Sequence, residues 1–341
     1  QTMKQRIQKT EPFSIPFFGW VRIGKVYGML SIFLLALPAE LHAQDYLYTT
    51  NNGKVTITKY IGFNNEVAIP GVINGLPVTS VANLAFYSLS GLTSVTIPNS
   101  VTNIGYAAFY YCANLTAITV VSSNSVYSSL AGVLFNKNTN TLIRYPEGKI
   151  GNYTIPSSVT YIGARAFSSC SGLTSLTIPS NVTSIGEAAF SACSGLTSLT
   201  IPSNVTSIGG WAFSGCSGLT AITVVSNNSV YSSLDGVLFN KNRTTLIQCP
   251  EGKTGSFTVP DTVTSISDWA FYECTLLNEV IMPYGIAAIG DYALGSCSSV
   301  TSFTIPNSVT NIGYYAFGFC TSSTNVIVGS GVKSIEDLAF S

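Results

Sequence analysis

An Ala-Phe pair returns along this chain at fixed intervals, and that periodicity restricts the fold more than any other feature. The Phe falls at 86, 109, 167, 190, 213, 271, 317 and 340, with Leu294 in the same slot. Steps of 23 residues are broken twice by steps of 58, so a 35-residue unit is inserted at two places. The inserts match each other: Asn124-Ser-Val-Tyr-Ser-Ser-Leu-Ala-Gly-Val-Leu-Phe-Asn-Lys137 recurs 104 residues later as Asn228 to Lys241. A fixed period in the twenties marks stacked supersecondary units, none of which can enclose its own apolar face.

One unit can be read residue by residue. In Leu173-Thr-Ser-Leu-Thr-Ile178, Leu176 and Ile178 share one face and Ser175 and Thr177 the other, as the period of a strand requires. Pro179 ends the strand, because it cannot donate to a ladder. Val182 and Ile185 form a second short inward segment, and Gly186 permits a tight corner. Ala188 to Cys193 suits one helical turn, with Ala189, Phe190 and Cys193 turned inward. The inserts predict a hairpin of Val237-Leu-Phe-Asn and Thr245-Leu-Ile-Gln joined across Lys241 to Thr244. Their copies differ at Ala131/Asp235, Arg144/Gln248 and Ile150/Thr254, which are expected to be exposed. Stacking at roughly 4.8 Å per rung gives one long parallel sheet over about eleven rungs, on the order of 50 Å of curved rod.

The run Leu-Thr-Ser-Leu-Thr-Ile-Pro-x-x-Val-Thr-x-Ile-Gly-x-x-Ala-Phe-x-x-Cys resembles the BspA-like bacterial leucine-rich repeat surface protein family, as does Asp235-Gly-Val-Leu-Phe-Asn-Lys with Leu246-Ile-Gln-Cys-Pro-Glu-Gly252. The resemblance spans about residues 55–341. It implies an α/β solenoid, a right-handed leucine-rich-repeat rod with a parallel concave β-sheet. It also implies a secreted or surface-exposed protein that binds other macromolecules or cells; it implies neither a catalytic centre nor a fixed partner.

The chain divides, on this reading, into a signal peptide over 1–43, an N-terminal cap over 44–79 and the solenoid over 80–341. The longer units fall at about 121–155 and 225–259. The leader runs from basic residues (Lys4, Arg6, Lys9, Arg22, Lys25) through the apolar stretch Val26 to Leu37 to small residues near Ala43. That stretch is short of the roughly 20 residues a spanning helix needs. The cap begins near Tyr46 and carries strands over 54–58 and 67–69. The chain stops in mid-repeat at Ala339-Phe-Ser341, so further chain, or end-to-end contact with another chain, is expected to cover the last rung.

Much chemistry is missing. The single histidine, His42, lies in the leader, so the mature chain has no Ser-His or Cys-His pair and no His-based metal site. No phosphate loop or calcium loop occurs. The whole chain carries 15 basic and 15 acidic residues, which argues against nucleic acid as a partner. Seven of the eight cysteines occupy one slot, three residues after the Phe, which Leu89 fills in the first unit; a slot taking Cys or Leu reads as a row of buried thiols. Glu147 and Glu251 occupy matching Pro-Glu-Gly turns and read as structure. No catalytic role, cofactor or metal is expected.

Two surface rows are candidates for partner contact. Outward strand positions, including Ser175, Thr177, Ser198 and Thr200, make a hydroxyl-rich face. The slot before Ala-Phe reads Leu84, Ala107, Arg165, Ala188, Trp211, Trp269, Tyr292, Tyr315 and Leu338, so its second half is aromatic. Such residues are favoured at recognition surfaces, although they can also simply cover the edges of neighbouring rungs. The expected function is a binding or adhesion module for an extracellular protein or glycan, with no membrane span in the mature chain. The alternatives are a structural spacer or an accessory repeat region of a larger secreted enzyme.

Overall fold

A computed structural model of the chain describes residues 45–341, so the leader over 1–43 lies outside the described residues. What it describes is a β-solenoid. Each 23-residue unit contributes one strand of up to five residues and one of two residues; the two-residue strands of neighbouring rungs pair in parallel, and the longer ones pair in parallel in small groups. Leu173–Thr177 and its partner Gly151–Thr154 belong to the longer set; Tyr161–Ile162, Ser184–Ile185 and Ser207–Ile208 belong to the shorter one. Leu176 is buried while Ser175 and Thr177 are exposed, which is the alternation a half-buried strand needs. At the N-terminal end, Tyr46–Asn51 and Lys54–Tyr60 form an antiparallel pair.

Two expectations are corrected. The longer strands do not form one continuous sheet: Leu173–Thr177 pairs with the rung before it and Ser198–Ile201 with the rung after it, and the two do not pair with each other. And no α-helix occurs among the described residues, so the α part of the α/β expectation is not met. The segment Ala188 to Cys193 is instead a run of turns, for a reason visible in the hydrogen bonds. The N–H groups of Ala188, Phe190 and Ala192 donate to Gly210, Ala212 and Ser214 on the next rung. Those of Ala189 and Ser191 donate locally to Gly186 and Ala188. Every second donor is spent between rungs, so no i to i−4 ladder can build. Ala188 and Ala192 also sit at φ values of 50° and 58°, in the left-handed region that interrupts a right-handed helix.

Gly186 is required for a different reason from a corner. It does not adopt a positive φ, but a Cβ there would lie 2.6 Å from the backbone nitrogen of Ala164 on the preceding rung. The close approach of rungs, rather than the turn, excludes a side chain.

The Phe slot fills the interior. Phe167, Phe190 and Phe213 are buried and stack with ring centroids 5.4 and 5.9 Å apart. The predicted hairpin forms in both longer units: Val237–Asn240 pairs antiparallel with Thr245–Gln248. A third strand, Tyr231–Leu234, precedes it across a tight turn at Asp235-Gly236, with φ values of 50° and 80°. This three-stranded insert is a partition. Leu134 packs with the N-terminal core, while Val133 and Phe135 pack with the middle one; Leu238 and Val237/Phe239 repeat the division. Both faces of that strand are therefore buried, which explains its unbroken apolar run.

The partition is locked by one side chain. Asn228 is fully buried, and its amide donates to the carbonyls of Pro202 and Val205 at 2.8 and 3.0 Å. Its Oδ1 accepts from the N–H of Val230 and Tyr231 at 2.9 and 2.8 Å. Asn124 makes the same four bonds in the first longer unit.

The cysteine row is as expected from its slot. All eight are free thiols and all but the half-buried Cys320 are buried. Several donate to a carbonyl one rung back: Cys112 to Phe86, Cys193 to Phe167 and Cys216 to Phe190, each at 3.0 Å. Burial pushes the Cys112 thiol up to about 11 and Cys170 to about 12. The thiolate, which is the nucleophile, is therefore suppressed. Iodoacetamide at pH 8 is expected to leave these cysteines unlabelled in the native protein and to label all eight in denaturant, read by intact mass. Native labelling of Cys112 or Cys170 at the rate of an unfolded cysteine would contradict this packing.

Candidate binding surface

The slot before Ala-Phe is a left-handed backbone position at every rung. Leu84, Ala107, Arg165, Ala188, Trp211, Trp269, Tyr292, Tyr315 and Leu338 all have φ between 50° and 62°. For a bulky residue this costs roughly 1–2 kcal/mol, a cost the rung-to-rung hydrogen bonds offset; Trp269 donates to Asp291 and Tyr292 to Tyr314. The large apolar side chains Leu84, Trp211 and Leu338 at this slot are exposed, while Ala188 is buried.

In the second half the four predicted aromatics are brought into one strip. Trp211 and Trp269, 58 residues apart in sequence, lie edge to face with centroids 6.2 Å apart. Trp269 stacks on Tyr292 at 4.0 Å and 8°, and Tyr292 on Tyr315 at 5.1 Å and 17°. The stack continues to Phe319 at 5.2 Å, and Tyr272 and Tyr314 brace it edge-on. Trp211 and Phe319, at its two ends, are 48% and 51% exposed, while the rings between are half-buried against one another. The strip thus does both things the sequence allowed: it covers rung edges and presents ring surface to solvent. Tyr272, Tyr314 and Phe319 were not apparent from the slot, because they occupy neighbouring positions.

The strand row is a separate surface. Ser175, Thr177, Ser198 and Thr200 are all exposed. Ser175 and Thr177 pair with Asn152 and Thr154, and Ser198 and Thr200 with Ala221 and Thr223. The structure does not bring this row and the aromatic slot into one stretch of a rung: one lies on the strand, the other on the turn.

Arg144 is not exposed as its variability suggests; it is 7% exposed. Its guanidinium forms an ion pair with buried Glu147 and donates to the Arg165 carbonyl at 2.7 Å. Glu147 also accepts from the N–H of Tyr111. In the second longer unit Gln248 replaces Arg144, and buried Glu251 keeps only the N–H of Gly215, at 2.6 Å. Burial pushes its carboxyl up to about 7, against the hydrogen bond from Gly215, with Glu273 adding to the rise. A carboxyl raised in the folded state favours folding while protonated, so the native protein loses stability as pH climbs from about 4.5 to about 7 and levels off above. Glu251→Gln is expected to blunt that loss, exceeding the parent at pH 8 by up to about 3 kcal/mol. Denaturant melts at pH 5 and pH 8 check this; equal pH dependence of the two proteins would refute it.

No group of three or more His, Cys, Asp or Glu residues able to hold a metal ion occurs among the described residues. No helix long and apolar enough to cross a membrane occurs among the described residues, which says nothing of strands.

The comparisons with known proteins concern the repeats. The family described as BspA type leucine-rich repeat region matches residues 56–148, 144–254 and 248–341. No curated protein matches the chain. A solved leucine-rich cell surface protein of Faecalibacterium prausnitzii is 29% identical, with a TM-score of 0.62 over 87% of this chain and 84% of that one. A leucine-rich repeat protein of Eubacterium ventriosum is 23% identical, with a TM-score of 0.53 over 80% of this chain and 91% of its own. The pneumococcal vaccine antigen PcpA is 21% identical, with a TM-score of 0.54 over 85% and 84%. The last two establish likeness of fold alone.

Proposed function

The chain belongs to the BspA-type leucine-rich repeat family, and from that premise we propose that it is a secreted or cell-surface binding module that holds an extracellular protein or glycan. The observation that carries this reading is the strip from Trp211 to Phe319, a run of packed rings carried on a strained backbone. Trp and Tyr supply large contact area at low entropic cost, and they are the residues most enriched where binding energy concentrates. A rung-locked frame adds little ordering cost on association. In this reading the rod is right-handed, and the hydroxyl row of Ser175, Thr177, Ser198 and Thr200 on its concave side extends the contact without carrying its energy. The described cell-surface location of the Faecalibacterium relative agrees with placement outside the cell. The experiment is saturable capture of the purified chain by extracellular matrix proteins and by arrayed glycans. Capture that saturates supports the binding module; its absence across both panels favours the spacer or the accessory region of a larger secreted enzyme.

A further inference from the structure

The two longer units each open the same cleft on the turn side. There the strand Thr141–Arg144 or Thr245–Gln248 takes the place of a protruding turn, leaving a gap in the outward slot between Ala107 and Arg165 and again between Trp211 and Trp269. One cavity of about 170 Å³ is lined by Tyr106, Ala107, Tyr110, Ile143, Arg144 and Arg165 among others. Its counterpart, about 290 Å³, is lined by the residues 104 positions later, among them Gly210, Trp211, Ile247, Gln248 and Trp269. The frame is unchanged between them: Ile104 and Ile208, Gly105 and Gly209, Phe109 and Phe213, Ile143 and Ile247. The lining is not. Tyr106 becomes Gly210, Ala107 becomes Trp211, Arg144 becomes Gln248, Ala164 becomes Asp268 and Arg165 becomes Trp269.

The first cleft has the chemistry of an anion site. Arg144 is neutralised by Glu147, but Arg165 makes no ion pair: exposed Glu187 on the next rung accepts the Arg165 N–H at its carbonyl, at 2.9 Å, while its carboxylate acts on the guanidinium only from beyond ion-pair distance. Arg165 Nε donates to the Tyr106 hydroxyl, which leaves the phenol proton and the terminal guanidinium nitrogens available. Its guanidinium lies over two rings, 5.4 Å from Tyr106 and 5.7 Å from Tyr110. Arg144, 7% exposed, lines the same cavity with its buried Nε unpartnered. A planar guanidinium pairs bidentately with a carboxylate. A cavity of about 150 Å³ receives a ring of six atoms, and the face of Tyr106, half exposed, flanks the opening.

We propose that the cleft of Tyr106, Tyr110, Arg144 and Arg165 binds a carboxylated sugar residue, its carboxylate on Arg165 and its ring beside Tyr106. This site is distinct from the aromatic strip and goes beyond the binding reading above. The test is NMR titration of the whole chain with D-glucuronate, D-glucose and glutarate, following ligand saturation transfer. The expected result is saturable glucuronate binding, with glucose and glutarate each at least tenfold weaker. Arg165→Gln should abolish it, and so should Arg165→Trp, a side chain this slot already accommodates at Trp269; Trp211→Ala should leave it intact. Far-UV melts confirm that each variant folds. Glucose binding as well as glucuronate, or retained binding in a folded Arg165 variant, would overturn the anion site. Glutarate binding as well as glucuronate would overturn the sugar in favour of an acidic peptide group. No binding of any of the three would overturn the site altogether.

Discussion

Asn228→Ala is expected to lower the unfolding free energy by about 4 kcal/mol, a large fraction of the 5–15 kcal/mol that holds a typical domain together. The change removes one small side chain and takes a partner from four backbone groups: the buried carbonyls of Pro202, which keeps only a 3.4 Å bond from the N–H of Val205, and Val205, and the half-buried N–H groups of Val230 and Tyr231. Each unsatisfied buried group costs roughly 1–3 kcal/mol, so about 4 kcal/mol is the middle of the range for the two carbonyls alone. Asn228→Asp keeps the acceptor, loses both donors and buries a charge, so it should not rescue. Asn124→Ala should cost a similar amount, since its four bonds are the same. Urea denaturation followed by tyrosine and tryptophan fluorescence measures this; a loss below about 1 kcal/mol would show that the inserts do not depend on the asparagine lock.

How far the sequence foretold the molecule depends on which forces are local. The strand Leu173–Thr177, the Phe ladder and the hairpin of Val237–Asn240 with Thr245–Gln248 follow from period two, slot identity and turn residues, all of which can be read from neighbours in the chain. The helical turn at Ala188 to Cys193 does not form, because its donors bond to residues 22 positions ahead. Spacing within one unit carries no sign of that competition. The third strand, Tyr231–Leu234, is absent from the expected hairpin, although Asp235-Gly236 is a dipeptide suited to positive φ at both turn positions. Arg144 is misjudged for a related reason. An arginine that differs between two copies reads as surface, but its charge is buried beside Glu147 three residues later. The glutamates, by contrast, read correctly as structural from their matching turns.

The candidate surface was legible in part. A single slot in the repeat pointed to Trp211, Trp269, Tyr292 and Tyr315; the structure stacks the last three and sets Trp211 edge-on to Trp269. Tyr272, Tyr314 and Phe319 join from adjacent positions that a one-slot comparison passes over. Comparing the flanks of the two inserts at an offset of 104 would have exposed the Tyr106 and Arg165 cleft, since the differences there fall on lining positions while the frame stays fixed.

Replacing both Trp211 and Trp269 with Ala is expected to weaken capture of the partner by at least about 100-fold, since aromatic anchors of an interface each carry about 2 kcal/mol or more. The fold should tolerate the change. Ala107 and Ala188 already occupy the same slot at φ values of 52° and 50°, and the rings lost are partly exposed. The loss in stability is therefore limited to stacking, about 0.5–1.5 kcal/mol per aromatic pair.

The most direct measurement of the central claim is the dissociation constant of the captured partner for the parent chain and for the Trp211→Ala/Trp269→Ala chain, each with its melting curve. The account predicts a fall in affinity of at least about 100-fold with the cooperative unfolding transition retained. Unchanged affinity in a folded double variant would contradict it, and would make the aromatic strip a cover for the rung edges alone.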